Sequence, residues 1–351
     1  MRSYKILFAI LMYATAIYGC KKKNPQPDAD ITNGLHIKNG KYLADKCGNK
    51  VLIRGINIGN IDAVNLGIKE IEEIEKTGAN TVRFVLTRQY QDWSNGRAVT
   101  TLSAAKIEYL LTSFLAKGMM PIVALHDFTG STNLAADLPR ATQWWTKSDI
   151  KATLSEYQKS IILNIANEPD NGSASSDAYA NANLTAVKAL RNAGYTCPIM
   201  IDAPDWGKNH LFVVDKGQAL MDADPLHNLI SSVHAYWPTI GAYSNHSDIK
   251  ITENFSALKR TGLPITPGEL ARADILNGLI YSINYRLMMR LSQEKEFGYS
   301  VWWWGFYNNP TANNLLSITN DGLLSGLQSH GKMMAIDDVN SIKNTSRRVF
   351  W

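Results

Sequence analysis

From residue 51 onward the chain alternates two kinds of hydrophobic pattern. Short, nearly continuous apolar runs read as buried strands, and between them lie stretches with apolar residues at helical spacing. "VLIRGINI" is the first run. A helical face of Val64, Ile68, Ile71 and Ile74 follows, with acidic residues between, and stops at Gly78, a residue suited to the left-handed turn that ends helices. "NTVRFVL" is the second run; Ile107, Leu110, Leu111 and Phe114 mark the next helix, which stops near Gly118. "MPIVALHD", "SIILNIANEPD" and "PIMIDAP" continue the series, the last after a helix ending at Gly194. "LISSVHAYWP", "LPITPGEL" after Gly262, and "GYSVWWWGF" after an expected long helix around residues 278–296 complete it. Trp144 and Trp145 fall on a helix and read as core.

Eight strands alternating with helices call for a parallel sheet under helical cover. Eight units in about 300 residues predict an α/β fold of the closed (β/α)8 TIM-barrel type. No glycine-rich phosphate loop follows the first strand, as an open dinucleotide-binding sheet would require. Residues 34–50, "GLHIKNGKYLADKCGNK", read as an N-terminal β-hairpin closing the barrel bottom.

The first 32 residues have a different character. "MRSYK" is a short basic start, and "ILFAILMYATAIYG" is apolar but short for a bilayer span. Cys20 follows directly, which resembles the end of a bacterial lipoprotein signal; an ordinary signal peptide with an incidental Cys is the alternative. The expected organisation is a signal peptide at 1–20 ending at a lipidated Cys20, a flexible tether at 21–32, and one catalytic domain at 33–351. An anchored chain would be exported and held at a bacterial membrane, periplasmic or cell-surface, touching it only through the lipid. Export would permit a disulfide between Cys47 and Cys197, both expected near the barrel bottom; two buried thiols are the alternative.

Composition narrows the function classes. The net charge of +5 is mild for 351 residues, and no Lys/Arg stripe with interleaved aromatics argues for nucleic acid. Nine Trp and fifteen Tyr are suited to sugar faces where they border a cleft. His126, Asp127 and His234 are ligand types, but there is no HExxH and no close His pair, so no metal is expected.

Polar residues gather at the C-terminal ends of the strands: Arg83, His126, Asn167 with Glu168, His234 with Tyr236, Glu269, and Trp302 with Trp304. The steps from Arg83 to His126 and from His126 to Glu168 are 43 and 42 residues, one repeat unit each. Side chains at equivalent places on successive barrel strands converge on one rim, where barrel active sites are built. The costly placement of Glu168 at the end of an apolar strand is explained if the rim uses its carboxyl.

"NIANEP" with a later "PGEL" resembles the acid/base and nucleophile motifs of the retaining clan A glycosidases, and from about residue 34 to 335 the chain is similar to glycoside hydrolase family 5. "KTGANTVRFVL", "LHDFTGS", "LRNAGYT", "DADPLHN" and "VHAYW" resemble segments of its bacterial endo-β-1,4-mannanases. The resemblance implies Glu168 as general acid/base and Glu269 as nucleophile. It implies that Asn167 holds the sugar 2-hydroxyl, that Arg83 keeps Glu269 ionised, and that His126, His234 and Tyr236 surround the reacting sugar. Trp302 would be its stacking floor and Trp304 a second platform. No cofactor is implied; the partner is a β-linked polysaccharide or oligosaccharide, and the chain is expected to be a monomer. Pro169, Pro267 and Leu270-Ala271 depart from the mannanase pattern. They leave an endo-β-1,4-glucanase or an exo-β-mannosidase as alternatives, and a non-catalytic glycan-binding lipoprotein as the alternative of another class.

Overall fold

The computed structural model describes residues 33–59, 65–92, 96, 98–240, 245–305 and 315–351. The signal, Cys20, the tether and Val64 lie outside the described residues. All eight expected strands form: β1 (Arg54–Ile58), β2 (Thr81–Leu86), β3 (Met120–Leu125), β4 (Ile162–Asn164), β5 (Ile199–Asp202), β6 (Leu229–His234), β7 (Ile265–Glu269) and β8 (Tyr299–Trp304). They run parallel in the order β7-β6-β5-β4-β3-β2-β1-β8. The ring closes through a parallel bridge between Leu270 and Val301, with the Leu270 N–H donating to Ser300 O at 2.9 Å and the Trp302 N–H to Leu270 O at 2.8 Å. The fold is a (β/α)8 barrel.

Helices α1 (Ile68–Glu75), α2 (Ala104–Ala116), α3 (Leu134–Trp145), α4 (Ser148–Tyr157), α5 (Ser176–Asn192), α6 (His210–Ala223), α7 (Asp248–Arg260) and α8 (Tyr285–Lys295) cover it. In α2 the spacing works as expected. Ser103 accepts the Lys106 N–H at the N-cap, Ile107, Leu110, Leu111 and Phe114 are buried, and the Phe114 ring lies 5.0 Å from Phe84 of β2. Each such side chain contributes about 1.5–3 kcal/mol by burial. Gly78, Gly118, Gly194 and Gly262 follow helix ends with φ of +77°, +74°, +93° and +72°, the conformation their positions predicted.

Two local expectations are corrected, and one open question is decided. Ile68 is 51% exposed, so the inward face of α1 is Ile71 and Ile74. The long helix expected around 278–296 starts only at Tyr285, because Ala273–Leu276 and Leu279–Ser282 pair as an antiparallel hairpin. Its turn is Asn277-Gly278, both at positive φ, a strong two-residue hairpin signal. Cys197 is a free, buried thiol, so there is no Cys47–Cys197 bridge; it enters β5 within the core, where a small apolar side chain fits without a partner.

The N-terminal hairpin, His36–Lys38 paired with Tyr42–Ala44, does close the bottom. The Leu35 N–H donates to Lys159 O before β4, and the Ile37 N–H donates to Asn228 Oδ1 before β6. Buried Arg54 ties the C-terminal segment to the same end, donating to Thr345 Oγ1 at 2.7 Å. With both of these segments packed below, the opposite rim is left to the strand-end polar residues.

Candidate active site

Arg83 stands on β2 with its side chain fully buried. Nη1 donates to Glu269 Oε1 at 3.0 Å and to Asn57 Oδ1 at 2.9 Å; Nη2 donates to Asn167 Oδ1 at 2.6 Å and to Asn164 Oδ1 at 2.8 Å. Register sets Asn57 of β1 beside Arg83, and Asn57 Nδ2 in turn donates to Gly268 O at 2.9 Å. A guanidinium can leave water only where its donors are taken, and here the rim supplies oxygen acceptors on several sides. The arrangement holds Glu269 from β7 and Asn167 from the β4 end in fixed relation.

Glu269 accepts a second bond at its other oxygen, from Tyr236 Oη at 2.8 Å. Burial, with Glu269 and Glu168 nearby, pushes the Tyr236 phenol well above its ordinary value, so it stays a neutral donor. Strands β6 and β7 pair His234 with Glu269 across a register shift between Val233 and His234. Gly268 is needed there: a Cβ would come within 2.3 Å of Ser232 Oγ and 3.0 Å of His234 Nε2.

Glu168 follows the fourth strand with φ of +41°, a conformation non-glycine residues seldom adopt. Its N–H donates to Asp202 Oδ2 at 3.2 Å, and its carbonyl accepts the Gly130 N–H at 2.8 Å. These bonds hold the strained backbone and turn the carboxyl to His234, whose Nδ1 lies 2.6 Å from Glu168 Oε1. His234 Nδ1 is also 3.5 Å from Glu269 Oε1, and its Nε2 is 3.5 Å from Asp202 Oδ1. Burial disfavours the imidazolium, but Glu269 and Asp202 outweigh it and raise His234 to about 10. Burial raises Glu168 to about 7, against the opposing pull of His234, and the charges of Glu269 and Asp202 add to the rise. Burial also works against an ionised Asp202, yet His234 and Arg83 hold it below the usual carboxylate range. The rim therefore carries one carboxyl inclined to keep its proton beside a second carboxylate held by a cation and a phenol.

Oxygens of Glu168 and Glu269 and Nδ1 of His234 lie within 4.8 Å of one another. Among the described residues these three also form a set of ligand types close enough to share a cation. Asp127, weighed as a ligand from sequence, instead accepts from Arg88 Nε at 2.9 Å and from the Arg88 N–H.

Two rings border the pair. His126 and Trp302 stack with planes 7° apart and centroids 6.5 Å apart. Burial and then the Arg83 charge push His126 well below its ordinary value, leaving a neutral ring whose buried Nε2 has no protein partner. Trp304 is corrected: it is fully buried in the core, in register with Ile58, and does not line the cleft. The pairing register shifts between Val301 and Trp304, so two-residue alternation no longer puts Trp302 and Trp304 on one face. Sequence reasoning missed Asp202, Asn57 and Asn164. Asp202 ends β5 as Glu269 ends β7, so its strand-end position was the available signal.

A model of the family described as Cellulase (glycosyl hydrolase family 5) matches residues 45–308. A mannan endo-1,4-beta-mannosidase of Cellvibrio japonicus (strain Ueda107) is 30% identical over 318 residues, covering 90% of this chain and 68% of that protein. Another, from Salipaludibacillus agaradhaerens, is 28% identical over 314 residues, covering 90% and 94%. The catalytic domain of a mannanase from Streptomyces sp. SirexAA-E is similar in structure, with a TM-score of 0.76 at 26% identity over 95% of this chain and 98% of that one.

Proposed function

The chain belongs to glycoside hydrolase family 5 and hydrolyses glycosidic bonds, and we propose that it is an endo-acting β-1,4-mannanase working by double displacement. The observation that carries the mechanism is the gap between the two carboxyls. One oxygen of each carboxyl lies within 4.8 Å of the other, which supports the about 5–5.5 Å separation of retaining enzymes over the about 6.5–9.5 Å of inverting ones. In this reading Glu269, aimed by Arg83 and Tyr236, attacks the anomeric carbon while Glu168 protonates the departing oxygen. The attack consumes the charge on Glu269, which removes one of the influences holding the proton on Glu168. Glu168 then takes a proton from water, which releases the sugar with its original configuration. His234 serves both steps by bonding Glu168 while its own charge is kept by Asp202 and Glu269.

The substrate reading draws on the relatives that are named for mannan. We extend the proposal to location: lipidation at Cys20 would hold the enzyme at a bacterial membrane as a monomer, with the barrel bottom nearest the tether. Product analysis on galactomannan, glucomannan and carboxymethylcellulose tests the substrate. Mixed manno-oligosaccharides from the first two are expected. Activity confined to carboxymethylcellulose would replace mannan by glucan, and release of mannose alone would replace endo by exo action.

A further inference from the structure

The end of the barrel opposite the rim carries a charge that the chain as a whole conceals. The net charge of +5 falls to +2 once the five Lys/Arg and two Asp of residues 1–32 are set aside. Cations nonetheless crowd the bottom. Lys38, Lys41, Lys46 and Lys50 lie on or beside the N-terminal hairpin. Arg347 and Arg348 join them: the Arg347 carbonyl accepts from Asn80 Nδ2 just before β2, and the Phe350 carbonyl accepts the Lys46 N–H. All but Lys38 are exposed. Lys259 and Arg260 end α7, and Lys295 ends α8. The helix dipole favours cations at helix C-termini and accounts for these last three. It does not account for the hairpin lysines or for Arg347 and Arg348. Acids at this end are already engaged. Asp45 is buried and accepts the N–H groups of Cys47 and Asn49, Asp224 is buried against Arg191, and Glu296 is shared by Lys50 at 2.7 Å and Lys259 at 3.4 Å. Among the described residues Lys38, Lys41 and Lys295 have no acidic partner.

Aromatic rings stand among these cations. Tyr42, Phe350 and Trp351 are half-buried. Lys50 Nζ lies 5.4 Å from the centre of the Tyr42 ring, the Arg348 guanidinium lies 5.4 Å from that of Phe350, and Lys46 Nζ donates to the Trp351 carbonyl at 2.7 Å. Between the hairpin and the starts of β6, β7 and β8 is a cavity of about 530 Å³. Lys41, Lys50, Lys259 and Lys295 line it together with buried Leu43, Ile53, Ile265 and Phe297. A soluble polyanion would use the cations and leave the rings idle. A layer of anionic headgroups over hydrocarbon uses both, since clusters of about 4–8 Lys/Arg bind such headgroups and Trp and Tyr favour the boundary beneath them.

The chain's path selects the same occupant. Residues 21–32 can span about 40 Å at most, and the Leu35 N–H fixes the start of the fold to the bottom through Lys159 O at 2.8 Å. A lipid on Cys20 would hold this end, rather than the rim, nearest the bilayer. We propose that the barrel bottom is a docking face for an anionic lipid surface, which turns the catalytic rim away from the bilayer and toward polymer. The inference takes its setting from the reading that Cys20 is lipidated; the cations and rings do not depend on it.

The test uses the chain from Lys21 onward, which cannot be lipidated, with K21Q/K22Q/K23Q so that only the folded part is read. It is pelleted with phosphatidylcholine vesicles and with vesicles containing about 30% phosphatidylglycerol. Binding is expected to the second alone, and to fall sharply between about 0.1 and 0.5 M NaCl as screening shortens. Each lysine near an anionic surface is worth about 5-fold, so adding K38Q/K41Q/K295Q should weaken binding by about 100-fold. Adding K69Q/K106Q/K250Q instead, which removes as much charge from the first turns of α1, α2 and α7, should change it by less than about 3-fold. Hydrolysis of mannohexaose, or of cellohexaose if that is the substrate, should stay within about 2-fold of the parent in both variants, which reports intact folding. Failure to bind the anionic vesicles, equal binding to both kinds, or equal losses in the two variants would overturn the docking face. The anchor is tested separately, by the mass of the Cys20 peptide from bacterial membranes. Vesicle binding with an unlipidated Cys20 would remove the anchor and leave the face; a lipidated Cys20 without vesicle binding would remove the face alone.

Discussion

Replacing Glu269 by glutamine removes one negative charge and keeps the shape of the side chain. Glu168 must respond, since its raised value includes the charge of Glu269. Oxygens of the two carboxyls lie within 4.8 Å. At an effective dielectric of about 20, two unit charges at that distance interact by about 3.5 kcal/mol, or about 2.5 pH units. The Glu168 midpoint, about 7 in the wild type, is therefore expected to fall by about 2 to 2.5 pH units in E269Q. The sign depends on His234 staying charged, which Asp202 supports from its Nε2 side at 3.5 Å. The assay is a carbon-13 NMR titration of side-chain-labelled glutamate, with E168Q/E269Q identifying the Glu168 signal and nitrogen-15 shifts following His234 in the same samples. The fall in E269Q imitates what happens when Glu269 becomes esterified, so its size measures how far the site itself converts an acid into a base. A midpoint that stays near that of the wild type while His234 remains charged would refute the reasoning.

Four further outcomes follow from the same structure. Wild-type kcat/KM should fall as pH rises through about 7, because the acid/base must hold its proton and Glu168 loses it there; E168A should lower turnover of mannan by about 100-fold or more while sparing formation of the glycosyl-enzyme from a glycosyl fluoride. R83A should destabilise the protein by about 3–5 kcal/mol, read from urea unfolding, because it strips a buried cation from Glu269, Asn57, Asn164 and Asn167 at once. Burial pushes the Cys197 thiol up to about 11, so peptide mapping after alkylation at about pH 8 should find Cys197 unmodified in the native protein and modified after denaturation.

Most of the barrel was legible because a parallel strand is buried on both faces and writes itself as a continuous apolar run. The rim was legible for the same reason: a charged residue inside or ending such a run stands out, as Arg83 does inside one and Glu168 and Glu269 do at the ends of theirs. The hairpin of Ala273–Leu276 with Leu279–Ser282 was not, although Asn277-Gly278 carries a plain turn signal; the apolar residues around it fit a helix pattern equally well. Asn57 and Asn164 were hidden because a lone amide inside a strand says nothing about its partner. Only the three-dimensional register shows both accepting from Arg83. Trp304 departs from expectation through a local irregularity that no two-residue alternation can anticipate.

Everything in the mechanism depends on Glu269 forming a covalent bond to sugar. Incubation with a 2-deoxy-2-fluoro β-mannosyl fluoride slows both steps and accumulates that species, which peptide mass spectrometry locates. The expected result is one added fluoro-sugar on the peptide carrying Glu269, none in E269Q, and slow release by water. A label on a different residue, or hydrolysis of an active substrate with inverted anomeric configuration and no label at all, would contradict the mechanism.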